Sequence, residues 1–189
     1  MRKQALLAGV FLLLPLSLMA QSTPKADLSL GYSYLRLEET DLHGWNISLA
    51  GTINKNLAMV ADFSGHYSSD QQTIGSNTFT SDLNAHTFLG GPRVSETVGG
   101  KWTPYVHALF GVSRLNASTD ARTASGTASS VESSDTGFAM ALGGGFDIKA
   151  SENVSIRLIQ GDYFLVRPEG VKSEGARISA GIVLHIGRK

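Results

Sequence analysis

Ten ionisable side chains fall at alternate positions within seven of eight short runs of this sequence: Asp27, Asp62, His66, His86, His107, Asp147, Arg157, Asp162, Arg177 and His185. Three kinds of chemistry are open to such a set. Carboxylates and guanidiniums held away from water must pair, because a lone buried charge is costly. A serine, an imidazole and a carboxylate within hydrogen-bond reach could transfer an acyl group. Serines are plentiful and His185 is available, but no local grouping stands out. Imidazoles converging with a carboxylate could hold a metal, yet His66, His86 and His107 fall on three separate runs without close ligand spacing. The expectation is a structural polar network of Asp27, Asp62, His107, Asp147, Arg157, Asp162 and His185, with no catalytic residue, cofactor or metal. A hairpin centred on Ser151 sets Arg157 opposite Gly145 and diagonal to Asp147. Closure of the first run on the last brings His185 near Asp27.

Alternation is what positions these groups. In the first run Leu28, Leu30, Tyr32 and Tyr34 interleave with Asp27, Ser29, Gly31 and Ser33. In the last, Ile178, Ala180, Ile182, Leu184 and Ile186 interleave with Ser179, Gly181, Val183 and His185. A period of two is a β-strand with a different solvent on each face. Six further runs repeat it, and together they predict an all-β, eight-stranded antiparallel up-and-down transmembrane β-barrel with lipid outside and a polar interior. A sheet in hydrocarbon must close, because its backbone groups find no water to bond. Eight strands leave an interior that side chains fill, and inward glycines (Gly90, Gly111, Gly143, Gly145, Gly181) suit a packed lumen better than a pore. The fourth run reads as Asn84, His86, Phe88 and Gly90 inward and ends at Pro92. In the seventh, Ser155 and Arg157 point inward, yet strict alternation would then put Gln160 and Asp162 into lipid. One extra residue near Leu158-Ile159 repairs the pattern and predicts a β-bulge; the alternative is a strand that leaves the membrane at Gln160.

The chain opens with Arg2 and Lys3, an apolar run from Ala5 to Leu18 and small Ala20, the layout of a secretory signal peptide over Met1–Ala20. The run is shorter than the roughly 20 residues a spanning helix needs. Residues 21–26 read as a periplasmic lead-in and residues 27–187 as one barrel domain. Without its leader the chain carries 14 basic and 16 acidic residues, and no basic stripe argues for nucleic acid. There is no cysteine, so neither a disulfide nor a lipoprotein anchor is available.

Connections of unequal length order the barrel in the membrane. Asn54–Asn56, Ser95–Gly100 and Ala150–Asn153 are short, whereas Arg36–Gly44, Ser68–Ser81, Asn116–Thr136 and Val166–Ala176 are long. Short periplasmic turns and long extracellular loops are the asymmetry of outer-membrane barrels. With the N-terminus in the periplasm, Tyr34, Trp45, Tyr67 and Phe138 fall near the extracellular rim and Trp102 and Phe146 near the periplasmic rim, as an aromatic girdle would.

Several stretches carry a family likeness: Leu28-Ser29-Leu30-Gly31-Tyr32-Ser33-Tyr34, Gly90-Gly91-Pro92-Arg93, Thr103-Pro104-Tyr105-Val106-His107-Ala108-Leu109-Phe110-Gly111, Asp162-Tyr163 and Arg177-Ile178-Ser179-Ala180-Gly181-Ile182. In this order and spacing they resemble the bacterial outer-membrane β-barrel-domain family, which is similar in architecture to the OmpA transmembrane domain and the opacity-type porins. The resemblance implies a cell outer-membrane location after export. It implies contact with outer-membrane lipid and lipopolysaccharide, passage through the barrel-insertion machinery, and outer loops free for an extracellular ligand. The expected role is non-enzymatic: envelope structure or surface interaction. The alternatives are a small porin with narrow or gated conductance and a lipid-modifying outer-membrane enzyme; a soluble lipocalin-like barrel would point its apolar face inward.

Overall fold

A computed structural model describes residues 26–187 apart from 39, 76, 123–127 and 168–171, so the expected leader and lead-in lie outside the described residues up to Ala26. Eight strands follow in order: β1 Ala26–Leu37, β2 Thr40–Thr52, β3 Leu57–Ile74, β4 Asn77–Ser95, β5 Trp102–Arg122, β6 Ala128–Lys149, β7 Val154–Arg167 and β8 Ser173–Ile186. Each pairs antiparallel with its sequence neighbour, and β1 pairs with β8 to close the barrel. Ala26 faces Gly51 on one side and Ile186 on the other, so the first strand has no open edge.

The two faces sort as the alternation demands. Leu30, Ile47, Phe63, Val106, Phe110, Ile156, Ile178 and Ile182 are exposed on the outer wall, while Ser29, Ser48, Asp62, His107, Asp147 and Asp162 are buried inside. Exposed aliphatic and aromatic surface on this scale is what a hydrocarbon solvent calls for.

Four expectations change. The fourth strand has the opposite parity: Ala85, Thr87, Leu89 and Arg93 are buried and Phe88 and Val94 exposed, so His86 and Gly90 face outward. Its partner explains this, since outward Phe63 stands opposite Phe88 and outward Gly65 opposite His86. The strand does not end at Pro92, which pairs with Met59 while Arg93 and Val94 rejoin β5 at His107 and Val106. Proline removes one ladder donor without stopping the strand. The long connections are mostly strand: only residues 38 and 39 separate β1 from β2, and only 75 and 76 separate β3 from β4. Glu38 and Gly75 turn these hairpins with positive φ, 52° and 66°.

The fourth change concerns the interior. Following β7 from its short turn upward, the inward residues are Ser155, Arg157, Gln160, Asp162, Phe164 and Val166, all buried. On β5 they are Tyr105, His107 and Leu109; on β1, Ser29, Ser33, Leu35 and Leu37. These three files turn from polar to apolar, whereas β3 runs from apolar Ala58 and Val60 to polar Asp62, Ser64 and His66. Leu35, Leu42, Leu89, Leu109, Phe164 and Val166 pack together in the lumen, so apolar and polar groups share the interior, with Thr87 and Ser113 buried beyond Leu89 and Leu109.

The bulge is present. Asp147 faces Arg157 but its neighbour Phe146 faces Ile159, and against β8 the register shifts between Arg157 and Gln160. Leu158 and Ile159 are both 49% exposed: two consecutive side chains lie outside, and inward parity resumes at Gln160.

Strand length is uneven. A spanning strand needs about 9–11 residues, which β1, β2, β7 and β8 at 12 to 14 residues barely exceed. In contrast β3 to β6 have 18, 19, 21 and 22 residues. At about 3.3 Å per residue these four continue well past the others as a wall over half the circumference.

Candidate functional site

The buried polar groups form two connected sets. At the short-turn mouth, Asp27 of β1 takes Arg93 Nη2 at 3.0 Å and His185 Nδ1 at 2.7 Å. Because a carboxylate only accepts, His185 donates from Nδ1, and its Nε2 lies 2.7 Å from Ser155 Oγ, accepting from it when the ring is neutral. Deeper, Arg157 meets Asp147 through Nε at 2.9 Å and Nη2 at 3.1 Å. Its Nη1 donates to Gln160 Oε1 at 2.9 Å, which also accepts from Tyr105 Oη at 2.8 Å. Gln160 Nε2 donates to Asp162 at 2.8 Å. Asp162 further accepts from His107 Nε2 at 2.7 Å and from Arg177 Nε at 2.8 Å, and Arg177 Nη1 reaches Asp62 at 2.8 Å.

One chain of contacts thus runs Asp147–Arg157–Gln160–Asp162–Arg177–Asp62. It starts on β6 and ends on β3, across the lumen from β7. The guanidiniums also stack: Arg157 lies 4.8 Å from the Tyr105 ring centre and Arg177 5.5 Å from that of Phe164. Charge-assisted bonds of this kind are the strong ones and satisfy most of the donors that burial would otherwise leave bare. The carboxylates Asp27, Asp62, Asp147 and Asp162 stand against Arg93, Arg157 and Arg177, with His107 and His185 bonded among them. Beside this set, His66 and Ser179 both bond Ser33 Oγ at 2.9 Å.

All seven expected network residues are brought into these two sets. One relationship differs: the hairpin is centred on Glu152 rather than Ser151, which places Arg157 directly opposite Asp147 rather than diagonal to it, and beyond the bulge Gly145 faces Gln160. Five members lie outside those seven: Arg93, Ser155, Tyr105, Gln160 and Arg177. Arg93 lies beyond Pro92, where the strand was expected to have stopped. Tyr105 and Gln160 carry no charge, so a search for ionisable groups passes over them. His66 and His107 point inward while His86 turns out to bond Tyr67 Oη at 3.2 Å, so the three imidazoles do not converge.

Ser155, His185 and Asp27 have the connectivity of a hydrolytic relay, which no local grouping in the sequence had shown. Chemistry needs more than the relay. Ser155 lies inside the ladder, opposite Lys149 on one side and Val183 on the other, and is 5% exposed. Backbone N–H groups in such a ladder are already bonded, so no convergent pair is left to stabilise an oxyanion.

The expected girdle residues all lie on the outer wall. Trp102 and Phe146 stand beside the short turns, where they face Ile148 and Pro104; Tyr34, Trp45, Tyr67 and Phe138 stand toward the opposite end of the barrel, with Trp45 edge-on to Phe63 at 5.2 Å. Above them, hydrogen bonds from Lys172 and then Tyr163 hold the exposed Glu174 carboxyl below its ordinary range.

The comparisons agree with this geometry. The model of the outer membrane protein beta-barrel domain family matches residues 5–165, and the chain belongs to that family. It is an outer-membrane β-barrel protein. Among solved structures it is similar to Ail, the attachment invasion locus protein of Yersinia pestis, with TM-score 0.57 and 17% identity over 85% of this chain and 99% of that one. It is also similar to Neisserial surface protein A, with TM-score 0.53 and 16% identity over 86% and 97%. The outer membrane protein OprG from Pseudomonas aeruginosa gives TM-score 0.53 and 9% identity over 87% and 97%. At these identities the likeness is one of fold. No curated protein matches the sequence.

Proposed function

We propose that this chain is a non-enzymatic surface-interaction barrel of the outer membrane: the packed lumen anchors it, and the wall built by β3–β6 meets extracellular partners. Met1–Ala20 is its export signal, and the two levels of aromatics are its membrane girdle. Lipopolysaccharide and outer-membrane lipid surround it once the insertion machinery has placed it. The observation that carries this reading is the length of β3–β6. Nothing about spanning a bilayer requires strands of 21 and 22 residues, whereas a surface platform does. Toward the outer end of the wall, residues Ser68–Ile74 of β3 pair with β4 alone, and β6 pairs with β7 only as far as Phe138. Such edges expose main-chain donors and acceptors that can add an extended peptide. The concave face holds a recess of about 320 Å³ beside Asp70, Gln72, Phe79 and Ser81.

Ail has been crystallised with the heparin analogue sucrose octasulfate. The outer part of the wall is acidic in sequence, with Asp70, Asp82, Asp120, Glu132 and Asp135 outnumbering Arg114 and Arg122, which favours basic over sulfated partners. The small-porin reading meets a lumen filled by ion pairs and packed leucines. The lipid-modifying-enzyme reading meets a serine without an oxyanion site.

The test is excision. Replacing residues 70–80 and 118–132 by short turns should leave a barrel that still migrates as a heat-modifiable band. Proteoliposomes of the intact protein should adhere to a polylysine-coated surface more than to a heparin-coated one, and the excised form should lose the difference. Equal adhesion of the two forms would remove the wall from the function.

A further inference from the structure

A groove of about 510 Å³ crosses the outside of β4–β7 beside the short turns. Its floor follows one register row. Val94 faces Val106, Val106 faces Gly144, and Gly144 faces Gly161. Two adjacent strands thus present glycine to lipid at the same level, and a Cβ built on Gly161 meets nothing within 4 Å. Phe146 and Ile159, both 49% exposed, raise the side nearer the turns. Ile159 belongs to the bulge, so the extra residue that rescues the inner face also shapes the outer one. Asn56, Ser95 and Glu96 stand at the turn end of the groove. Glu96 is exposed and has no ion pair among the described residues. Asn56 spends one amide hydrogen on Ser95 O at 3.0 Å, which leaves its second one free.

Location restricts what can lie here. The walls are aliphatic and aromatic and sit on the membrane-facing parity, so the occupant is an acyl chain. The polar end lies at the short turns, the periplasmic side of such a barrel. That is the inner leaflet, made of phospholipid. The charge at the rim selects among headgroups: a carboxylate favours a cationic amine, while an amide N–H suits a phosphate. We propose that this groove is a binding site for an ethanolamine-headgroup phospholipid of the inner leaflet, with an acyl chain along Val94, Val106, Gly144 and Gly161 and its ammonium at Glu96.

Trp102, at the start of β5, is a local reporter. The full-length protein carrying Trp45→Phe is reconstituted with phospholipids brominated on their acyl chains, and Trp102 quenching is titrated. Brominated phosphatidylethanolamine should quench at about two- to fivefold lower mole fraction than brominated phosphatidylglycerol, the scale of one exposed ion pair. Glu96→Gln should abolish that preference while leaving the barrel folded, because Glu96 lies in a turn. Gly161→Phe should fill the groove and weaken quenching by both lipids, whereas Gly161→Ala should not. Quenching that is indifferent to headgroup would overturn the ethanolamine assignment. Quenching unchanged in Gly161→Phe would overturn the groove itself. A lipid-insensitive Trp102 in a protein that sediments as a dimer would give the groove to a second copy and overturn the proposal equally.

Discussion

Arg157 and Asp147 meet as a two-point ion pair, at 2.9 and 3.1 Å, on the turn side of the one extra residue by which β7 outruns its neighbours. In an unbroken ladder centred on the same turn, Asp147 and Arg157 would still face each other, but Gln160 and Asp162 would point into hydrocarbon. The bulge lets the Arg157 pair and the Asp162 hub share one lumen.

This makes deletion position-specific. Removing Leu158 should merge the two registers, since Phe146 would then continue to face Ile159 and Asp147 to face Arg157. The deleted protein should refold into a heat-modifiable barrel. Removing Ile156 instead should turn Arg157 outward and abolish folding in the same gel assay. If both deletions fold alike, the extra residue does not set the parity of β7.

Arg177 is wholly buried between Asp62 and Asp162. Arg177→Ala should destabilise the barrel by about 3–5 kcal/mol, the cost of breaking a buried pair and leaving its carboxylates uncompensated. Urea unfolding in lipid vesicles measures it. A loss within the noise of the wild type would mean that water, not protein, satisfies those acids.

The outer parity can be tested at Ile182, which is 46% exposed on the wall and faces Leu30 and Ile156. Ile182→Arg should cost about 2–4 kcal/mol at mid-membrane, while Ser179→Ala inside should cost far less. A poor comparator would be Gly181, where an added Cβ would fall 2.2 Å from the carbonyl oxygen of Leu30.

The lumen should carry no steady current. Ion pairs and packed leucines fill it side by side, with Leu89 opposite Asp62 and Leu35 opposite Arg177, and the leucines would shed water even if those pairs parted. Planar bilayers containing the wild-type protein should show no stepwise conductance. Reproducible channels would restore the small-porin reading.

Ser155 should stay unlabelled by a fluorophosphonate probe in the folded protein, despite its bond to His185. Stoichiometric labelling that disappears in His185→Ala would show that an oxyanion is stabilised after all.

The closed antiparallel sheet was legible in the sequence wherever one face had to be apolar and the other polar. Gln160 and Asp162 betrayed the bulge because a charge in lipid is too costly to ignore. β4 was misread for the converse reason. Leu83, Ala85 and Leu89 line an apolar stretch of the interior, so alternation could not say which side was lipid, and the one decisive charge, Arg93, lay beyond a proline. The extension of β3–β6 was hidden too. A hairpin in water needs no hydrophobic alternation, so its Ser- and Thr-rich strands read as loops. In the site itself, charge revealed the ions, while the neutral Gln160 that joins them became visible only through its neighbours.

A wall over half the rim gives the molecule a heading within the membrane plane. On the side of β7, β8, β1 and β2 the horizon is low, and whatever rests against the concave face overhangs that side. Neighbouring proteins there share its view of the exterior; those behind β3–β6 stand in its shadow. Rotation about the membrane normal, immaterial for a symmetric cylinder, here decides which neighbour meets the low side and which meets the back of the wall.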